Sequence, residues 1–177
     1  TFTDALRAGA EVFHNLKSIL KAKGHVTAVG GEGGFAPHLT NSDDAFAVLT
    51  EAIEKAGYTG RIKFAIDAAA SEFYKDGIYH IDGKTLSSQE LVQYYKDLCA
   101  KYPIVSIEDS HAEDDWEGFQ NMITTMGDTV QIVGDDLLVT NVERIKKAIE
   151  AKSANSVLIK LNQIGSVSET VDAIQMA

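Results

Sequence analysis

Apolar residues recur along the chain with two spacings, one typical of amphipathic helices and one typical of buried strands. Spacings of three and four residues predict five helices, at residues 3–23, 42–56, 88–102 and 141–152 and from about residue 166 onward. In the first of these, Leu6, Phe13 and Leu20 share one face. At the start of the third, Ser87 and Glu90 have the spacing of a capping box.

Short, continuous apolar runs lie between the predicted helices. They occupy residues 61–66, 104–107, 131–133 and 156–159, with a less marked run at 26–29. Continuous apolarity predicts strands that are buried on both faces, as in parallel sheets. Strands that alternate with helices predict right-handed βαβ units. A hairpin interrupts this order at residues 73–79, where Asp76-Gly77 is a two-residue turn sequence. The pattern therefore predicts an α/β fold.

A charged residue stands at the carboxyl end of each of the four marked strands. These residues are Asp67, Glu108, Asp135 and Lys160. The carboxyl ends of parallel strands meet at one rim, where α/β barrels and open sheets bind ligands. We therefore expect the three carboxylates to converge, with the lysine beside them. A single acid after a single strand is usually a helix cap or a loop residue, but that explanation does not account for four successive strand ends.

Three converging carboxylates predict a metal site, because they repel one another unless a cation lies between them. Oxygen ligands without histidine or cysteine favour a hard ion, Mg²⁺ before Mn²⁺ or Ca²⁺. A lysine next to a dication has its pKa lowered and can act as a base. Together they suit removal of a proton next to a substrate carboxylate. The second acids of two pairs, Asp109 and Asp136, are equally consistent with supporting or capping roles.

A glycine cluster surrounds Glu32. Residues 31–36 match the dinucleotide-binding fingerprint in form, but Glu32 would face phosphate and Pro37 stands where the phosphate-binding helix should continue. We therefore favour a sharp turn that presents the Glu32 carboxylate at the same rim. A solvated glutamate in a glycine-rich turn is the alternative.

Composition excludes several classes of function. The chain has 16 basic and 26 acidic residues, a net charge of −10 and a pI near 4.9. This balance argues against binding to nucleic acid or to an anionic membrane surface. No apolar run approaches the roughly 18 residues that a membrane span needs. The single cysteine, Cys99, cannot form an internal disulfide, which fits a reducing compartment.

The blocks that carry these residues closely resemble the enolase family, the phosphopyruvate hydratases. The matching blocks are VGGEGGFAP, IDAAASEFYKDGIYHIDG, YPIVSIEDSHAEDDWEGF, VGDDLLVTN and SVLIKLNQIGSVSET, and the resemblance extends over essentially all 177 residues. It implies a partial TIM-type (β/α) barrel, the middle of the catalytic barrel domain, with residues 1–177 belonging to that single domain. A closed barrel needs eight strands and about 250 residues, so we expect this chain to be a piece of a longer protein.

The resemblance also implies roles for single residues. Asp67, Glu108 and Asp135 correspond to the ligands of Mg²⁺, Lys160 to the base that removes the C2 proton of 2-phosphoglycerate, and Glu32 to the acid that helps the C3 hydroxyl leave. Glu32, Glu108, Asp135 and Lys160 would also contact the substrate. The implied activity is the Mg²⁺-dependent dehydration of 2-phosphoglycerate to phosphoenolpyruvate in glycolysis, in the cytoplasm, by a homodimer.

Absent segments and local departures limit what the resemblance implies. Enolases have an N-terminal domain with a serine loop and further barrel strands, so we expect the isolated chain to be inactive. Gly31 replaces a usual acid, and Ser110-His111 stands where Gly or Pro is more usual. One alternative is another proton-abstracting enzyme of the superfamily. A second is plasminogen binding at the cell surface by the hairpin 73–81, which carries one lysine, Lys75.

Overall fold

The computed structural model describes all 177 residues, which form two compact units, Thr1–Ile62 and Lys63–Ala177. The first unit contains two helices that pack against each other, α1 (Phe2–Ala22) and α2 (Ser42–Lys55). No helix of the chain has the length and hydropathy to cross a membrane.

Capping side chains and turns fix where these two helices begin and end. The Thr1 hydroxyl accepts the backbone N–H of Asp4, and the Asn41 side chain accepts that of Asp44. These bonds satisfy N–H groups that have no partner inside the helix. The predicted strand at 26–29 is wrong, because that segment forms only one isolated bridge, between Val29 and Phe35, within the loop between the helices.

The second unit is built on a parallel sheet flanked by helices. Its strands are β1 (Phe64–Asp67), β5 (Ile104–Glu108), β6 (Gln131–Gly134) and β7 (Ser156–Val157), paired in the order β1-β5-β6-β7. Its helices are α3 (Ser88–Lys101), α4 (Trp116–Met126), α5 (Val142–Ala151), α6 (Leu161–Ile164) and α7 (Val167–Met176), and a 3₁₀ turn covers Ala70–Phe73. This mixed α/β unit with parallel strands confirms the predicted fold class, a partial TIM-type barrel. That one domain includes all 177 residues stays a prediction.

The core of the second unit lies where strands and helices meet. Ile107 and Ile132 from neighbouring strands are fully buried, as are Phe119 and Met122 on α4. The predicted capping box opens α3, where the Ser87 side chain accepts the N–H of Glu90. The helix α4 was not among the five predicted spans, although its apolar residues follow helical spacing.

A three-stranded antiparallel sheet follows β1 in the chain. It comprises β2 (Tyr74–Lys75), β3 (Ile78–Ile81) and β4 (Lys84–Leu86). The predicted Asp-Gly tip is confirmed, since Asp76 and Gly77 both have positive φ, +52° and +86°, as a type I′ turn requires.

Tyr79 connects this small sheet to the segment after β5 by hydrogen bonds. Its side chain is fully buried, and its hydroxyl donates to Asp115 Oδ2 at 2.7 Å and accepts the backbone N–H of Ala112 at 3.0 Å. Burial raises the pKa of Tyr79 well above its ordinary range, so the hydroxyl keeps its proton for this bond. The hairpin therefore stabilises the loop that leads from β5 into α4.

Gly118→Ala should destabilise the chain, although alanine is normally the better helix residue. A methyl group at Gly118 would clash with His111 Cδ2 and would lie 2.7 Å from His111 Cγ and 2.6 Å from Ser88 Oγ, and neither residue is exposed. Overpacking of this kind costs about 1–3 kcal/mol. Gly9→Ala in α1 is the matched control, since nothing lies within 4 Å there, and it should stabilise by about 0.5–1 kcal/mol. Urea denaturation followed by circular dichroism measures both, and a Gly118→Ala variant as stable as the parent would contradict the packing described here.

Candidate active site

The first two acids of the site stand side by side at the ends of neighbouring strands. Asp67 ends β1 and Glu108 ends β5, and the two residues are direct partners in the parallel register. The backbone continues this alignment, because the N–H of Ala68 donates to the carbonyl of Glu108 at 3.0 Å. The side chain of Asp67 also accepts the N–H of Ala69 at 3.0 Å. The sheet therefore places these two carboxylates next to each other.

Asp135 and Lys160 form the other half of the cluster. Asp135 follows β6, and its buried carboxylate forms an ion pair with the Lys160 ammonium. Its second oxygen accepts a hydrogen bond from Gln163 Nε2 at 2.6 Å. Lys160 is the residue that precedes α6. Both Asp135 oxygens are thus engaged by donors from the segment after β7.

Thr140 connects this segment to the loop after β6. The Thr140 hydroxyl is fully buried, accepts the backbone N–H of Lys160 at 2.8 Å and donates to Gln163 Oε1 at 3.0 Å. Thr140 and its neighbour Val139 have φ of +54° and +44°. Side chains branched at Cβ rarely adopt that conformation, and each such residue costs about 1–3 kcal/mol. This loop therefore stores backbone strain immediately beside the candidate site.

Desolvation and repulsion from the neighbouring acids together raise the pKa of Glu108. Desolvation, followed by the negative charges of Asp67, Asp135 and Asp109, raises the pKa of Glu108 from 4.5 to about 7, whereas Lys160 opposes the shift. The other three predicted strand-end residues of this unit, Asp67, Asp135 and Lys160, therefore lie within electrostatic range of Glu108. Perturbed carboxyl groups gathered in this way are typical of functional sites.

The donor set fits a hard divalent cation. Asp67, Glu108 and Asp109 each offer a carboxylate oxygen within 4.8 Å of the others, and so do Asp109, Asp135 and Asp136. The two groups share Asp109 and contain only carboxylates, the ligands that magnesium, calcium and manganese prefer. The three predicted ligands are divided between the groups, Asp67 and Glu108 in one and Asp135 in the other.

Comparison with known protein families shows to which family the chain that carries this acidic cluster belongs. The family model described as "Enolase, C-terminal TIM barrel domain" matches residues 1–177. The chain belongs to the enolase C-terminal domain family. Membership supports a function of the enolase superfamily, that of a lyase, and it implies a divalent metal, for which the clustered acids offer ligands. The predicted recognition of the family is confirmed.

Glu32 lies in the other unit of this enolase domain, on an exposed turn. The turn is closed by hydrogen bonds from the N–H of Gly30 to the carbonyl of Gly34 at 2.8 Å and from the N–H of Gly33 to the carbonyl of Gly30 at 3.0 Å. Next to it the Phe35 ring stacks on Phe13 of α1 with 4.4 Å between centroids. The turn predicted from the glycines is present, and the catalytic role of Glu32 stays a prediction.

The supporting part of the enolase site is not evident from the sequence. No motif marks Thr140 or Gln163, and the sequence around Asp109 is consistent with both a supporting and a capping role. The position of Gln163, three residues after Lys160, was the available signal, since that spacing places two side chains on one side of a helical turn. The departure at His111 proves to be packing: the ring is fully buried between Tyr79 and Phe119, and its Nε2 lies 3.0 Å from the carbonyl of Ser88.

The raised pKa of Glu108 predicts a pH dependence of stability in the metal-free domain. The folded state holds the Glu108 proton more tightly than the unfolded state does. The contribution of this proton to the stability of the fold is therefore complete below pH 4.5 and is lost as the pH rises through about 7. Glu108→Gln should remove this loss, so the variant gains stability relative to the parent between pH 5 and about 7.5. Urea denaturation in EDTA at both pH values measures the difference.

Glu150→Gln on α5 is the control, because Glu150 is exposed and its charge is not among those that shift the pKa of Glu108. It should leave the dependence on pH as in the parent. If the free energy of unfolding changed equally with pH in the parent and in Glu108→Gln, Glu108 would ionise as an ordinary surface acid.

Proposed function

We propose that this enolase domain contributes the catalytic groups of a phosphopyruvate hydratase, which dehydrates 2-phosphoglycerate to phosphoenolpyruvate in glycolysis. The observation that carries the proposal is the cluster at the strand ends: Asp67 beside Glu108 in register, and Asp135 paired with Lys160. Acids together with one lysine are what removal of a proton next to a carboxylate requires. Membership of the enolase family supports this reaction class.

In this proposal Asp67, Glu108 and Asp135 hold Mg²⁺. A bound magnesium ion would offset the negative charge that develops on the substrate carboxylate when a neighbouring carbon loses its proton. Three carboxylates raise the pKa of Glu108 and the charge of Lys160 opposes them, so the rim without metal has an excess of negative charge. That excess is the physical reason for the rim to bind a dication.

Lys160 is the proposed base. Its backbone is fixed by the bond from its N–H to Thr140, and its ammonium lies at the Asp135 carboxylate. To act as the base, the Lys160 ammonium must first release its proton to solvent; the C2–H bond of 2-phosphoglycerate then breaks, its proton passes to the neutral amine, and the electron pair remains on the substrate. A lysine anchored at its backbone and close to a carboxylate cluster is well placed to approach a carbon next to a bound carboxylate.

Glu32 is the proposed acid of the second step. The C3–O bond breaks, the electron pair left by the C2 proton forms the double bond, and a proton from Glu32 turns the leaving hydroxyl into water. Support for this role comes from the resemblance at VGGEGGFAP and from the exposed position of Glu32 on its turn. The glycine at position 31 removes one neighbouring acid from the family pattern.

The same proposal includes the substrate class, the cellular compartment and the oligomeric state of the enzyme. The substrate is a small phosphorylated acid, the compartment is the cytoplasm, and the complete protein is a homodimer. The expectation of plasminogen binding receives no support from the hairpin, where Lys75 is the single lysine of residues 73–81.

Removal of each proposed ligand should weaken metal binding. Asp67→Asn, Glu108→Gln and Asp135→Asn each exchange a charged oxygen ligand for a neutral amide, and calorimetric titration of the chain with Mg²⁺ should show a reduced affinity in all three. Asp128→Asn removes one charge from an exposed residue that precedes the amino end of β6, and it should bind Mg²⁺ like the parent. Parental affinity in all three ligand variants would refute the assignment.

The two proton transfers can be separated in the complete protein that contains this domain. Lys160→Ala should abolish exchange of the C2 proton of 2-phosphoglycerate with deuterated solvent, together with turnover. Glu32→Gln should abolish turnover but leave C2 exchange detectable, because the first proton transfer remains possible. Loss of general acid or base assistance costs about 10²–10⁴-fold, which proton NMR readily detects.

The reverse pattern, with exchange that survives in Lys160→Ala and is lost in Glu32→Gln, would exchange the two roles. C2 exchange on a different carboxylic acid, with none on 2-phosphoglycerate, would favour another proton-abstracting enzyme of the superfamily. Gly31→Asp restores the family pattern, and increased turnover in that variant would show that this departure affects catalysis.

A further inference from the structure

Asp109 is the point at which three strand ends are joined. Its side chain accepts two backbone hydrogen bonds, from the N–H of Asp135 to Oδ1 at 3.0 Å and from the N–H of Asp136 to Oδ2 at 2.9 Å. Its own N–H donates to the carbonyl of Val133 in β6 at 3.0 Å, and its carbonyl accepts the N–H of Ala70, just after β1, at 3.1 Å. One residue thus ties the ends of β1 and β6 to the end of β5.

The conformation of Asp109 is suited to this arrangement. Its φ is +42°, a left-handed value that aspartate and asparagine tolerate better than most residues. The turn lets the backbone bond to two neighbouring strands while the carboxylate reaches under the loop after β6. The residue is 4% exposed. Burial raises the pKa of Asp109, and the two N–H donors act in the opposite direction.

Each oxygen of Asp109 already has a backbone donor, which distinguishes it from its neighbours in the cluster. The Asp67 carboxylate has one backbone donor, from Ala69. The oxygens of Asp135 are bound by the side chains of Lys160 and Gln163, which can move. Backbone N–H groups cannot turn away without moving the loop itself. Both oxygens of Asp109 are therefore held by backbone hydrogen bonds within the protein, whereas Asp135 has side-chain partners that a ligand can replace.

We propose that Asp109 is a positioning residue for the metal site: by binding the N–H groups of Asp135 and Asp136, it fixes the loop that carries the Asp135 carboxylate. This inference rests on the proposed function in so far as Asp135 is a metal ligand. Hydrogen bonds from N–H groups to an ionised carboxylate are among the stronger ones in proteins. Loss of partners that orient metal ligands typically weakens metal binding by about 10–100-fold.

The test uses Asp109→Asn, which retains the shape and the tolerance of positive φ. The asparagine carbonyl can accept one N–H, but its amide group would point at the other. In the metal-free chain, the backbone amides of Asp135 and Asp136 should exchange their hydrogens faster. The accelerations of the two amides combined should amount to about tenfold. The amide of Ile132, bonded to Asn155 Oδ1 at 2.7 Å, is the internal reference and should exchange as in the parent. Calorimetric Mg²⁺ affinity should fall by about 10-fold or more.

Asp109→Gly extends the test, since it removes the carboxylate and relaxes the backbone at positive φ. Both amides should then exchange faster, and metal affinity should fall at least as far as in Asp109→Asn. Asp128→Asn is the matched control for the lost charge and should change neither measurement. If Asp109→Asn does not fold, Asp109→Gly supplies the same two measurements.

Two results would overturn the proposal. Unchanged exchange at Asp135 and Asp136 in both Asp109 variants would show that Asp109 does not hold the loop, and if metal affinity were lost as well, Asp109 would be a ligand itself. Accelerated exchange with unchanged Mg²⁺ affinity would show a purely structural role. Failure of the proposed function is distinguishable, because the parent chain would then bind no Mg²⁺, and the exchange measurement alone would decide whether Asp109 positions the loop.

Discussion

Repulsion between carboxylates gathered at one edge of a sheet is the constraint on which the rest of this site depends. Parallel strands bring their carboxyl ends together, and here they bring Asp67, Glu108 and Asp135 with them. Like charges in a partly desolvated place are costly unless each is neutralised or hydrogen-bonded. The structure offsets this cost in three ways: Lys160 pairs with Asp135, backbone N–H groups bind Asp109, and Glu108 retains a proton more readily.

The strand ends could be predicted from sequence because topology alone dictates where they meet. Asp67 and Glu108 are register partners, which follows from parallel pairing and needs no knowledge of side-chain packing. The role of Asp109 could not be predicted in this way. Its function depends on a single backbone angle and on two N–H groups that are 26 and 27 positions away in the chain, and no pattern of residue types encodes those.

Secondary structure was predictable where local signals and packing agree. The capping box at Ser87 begins a helix as expected. The segment at 26–29 is apolar, yet Val26 and Val29 are about half exposed, and a strand without a neighbouring ladder has nothing to bond to. For α4 the local signals are mixed, since Gly118 and two threonines lower its helix propensity, and its buried face against the core determines the outcome.

The ion pair between Lys160 and Asp135 has a consequence for how the domain responds to chelators. In many metalloproteins the unfilled site is a group of unopposed charges, so stripping the metal unfolds the chain. Here a cation supplied by the protein itself already lies at Asp135, and Gln163 occupies the second oxygen. Withdrawal of a metal bound at Asp135 would exchange one positive partner for another, so we expect the metal-free domain to stay folded.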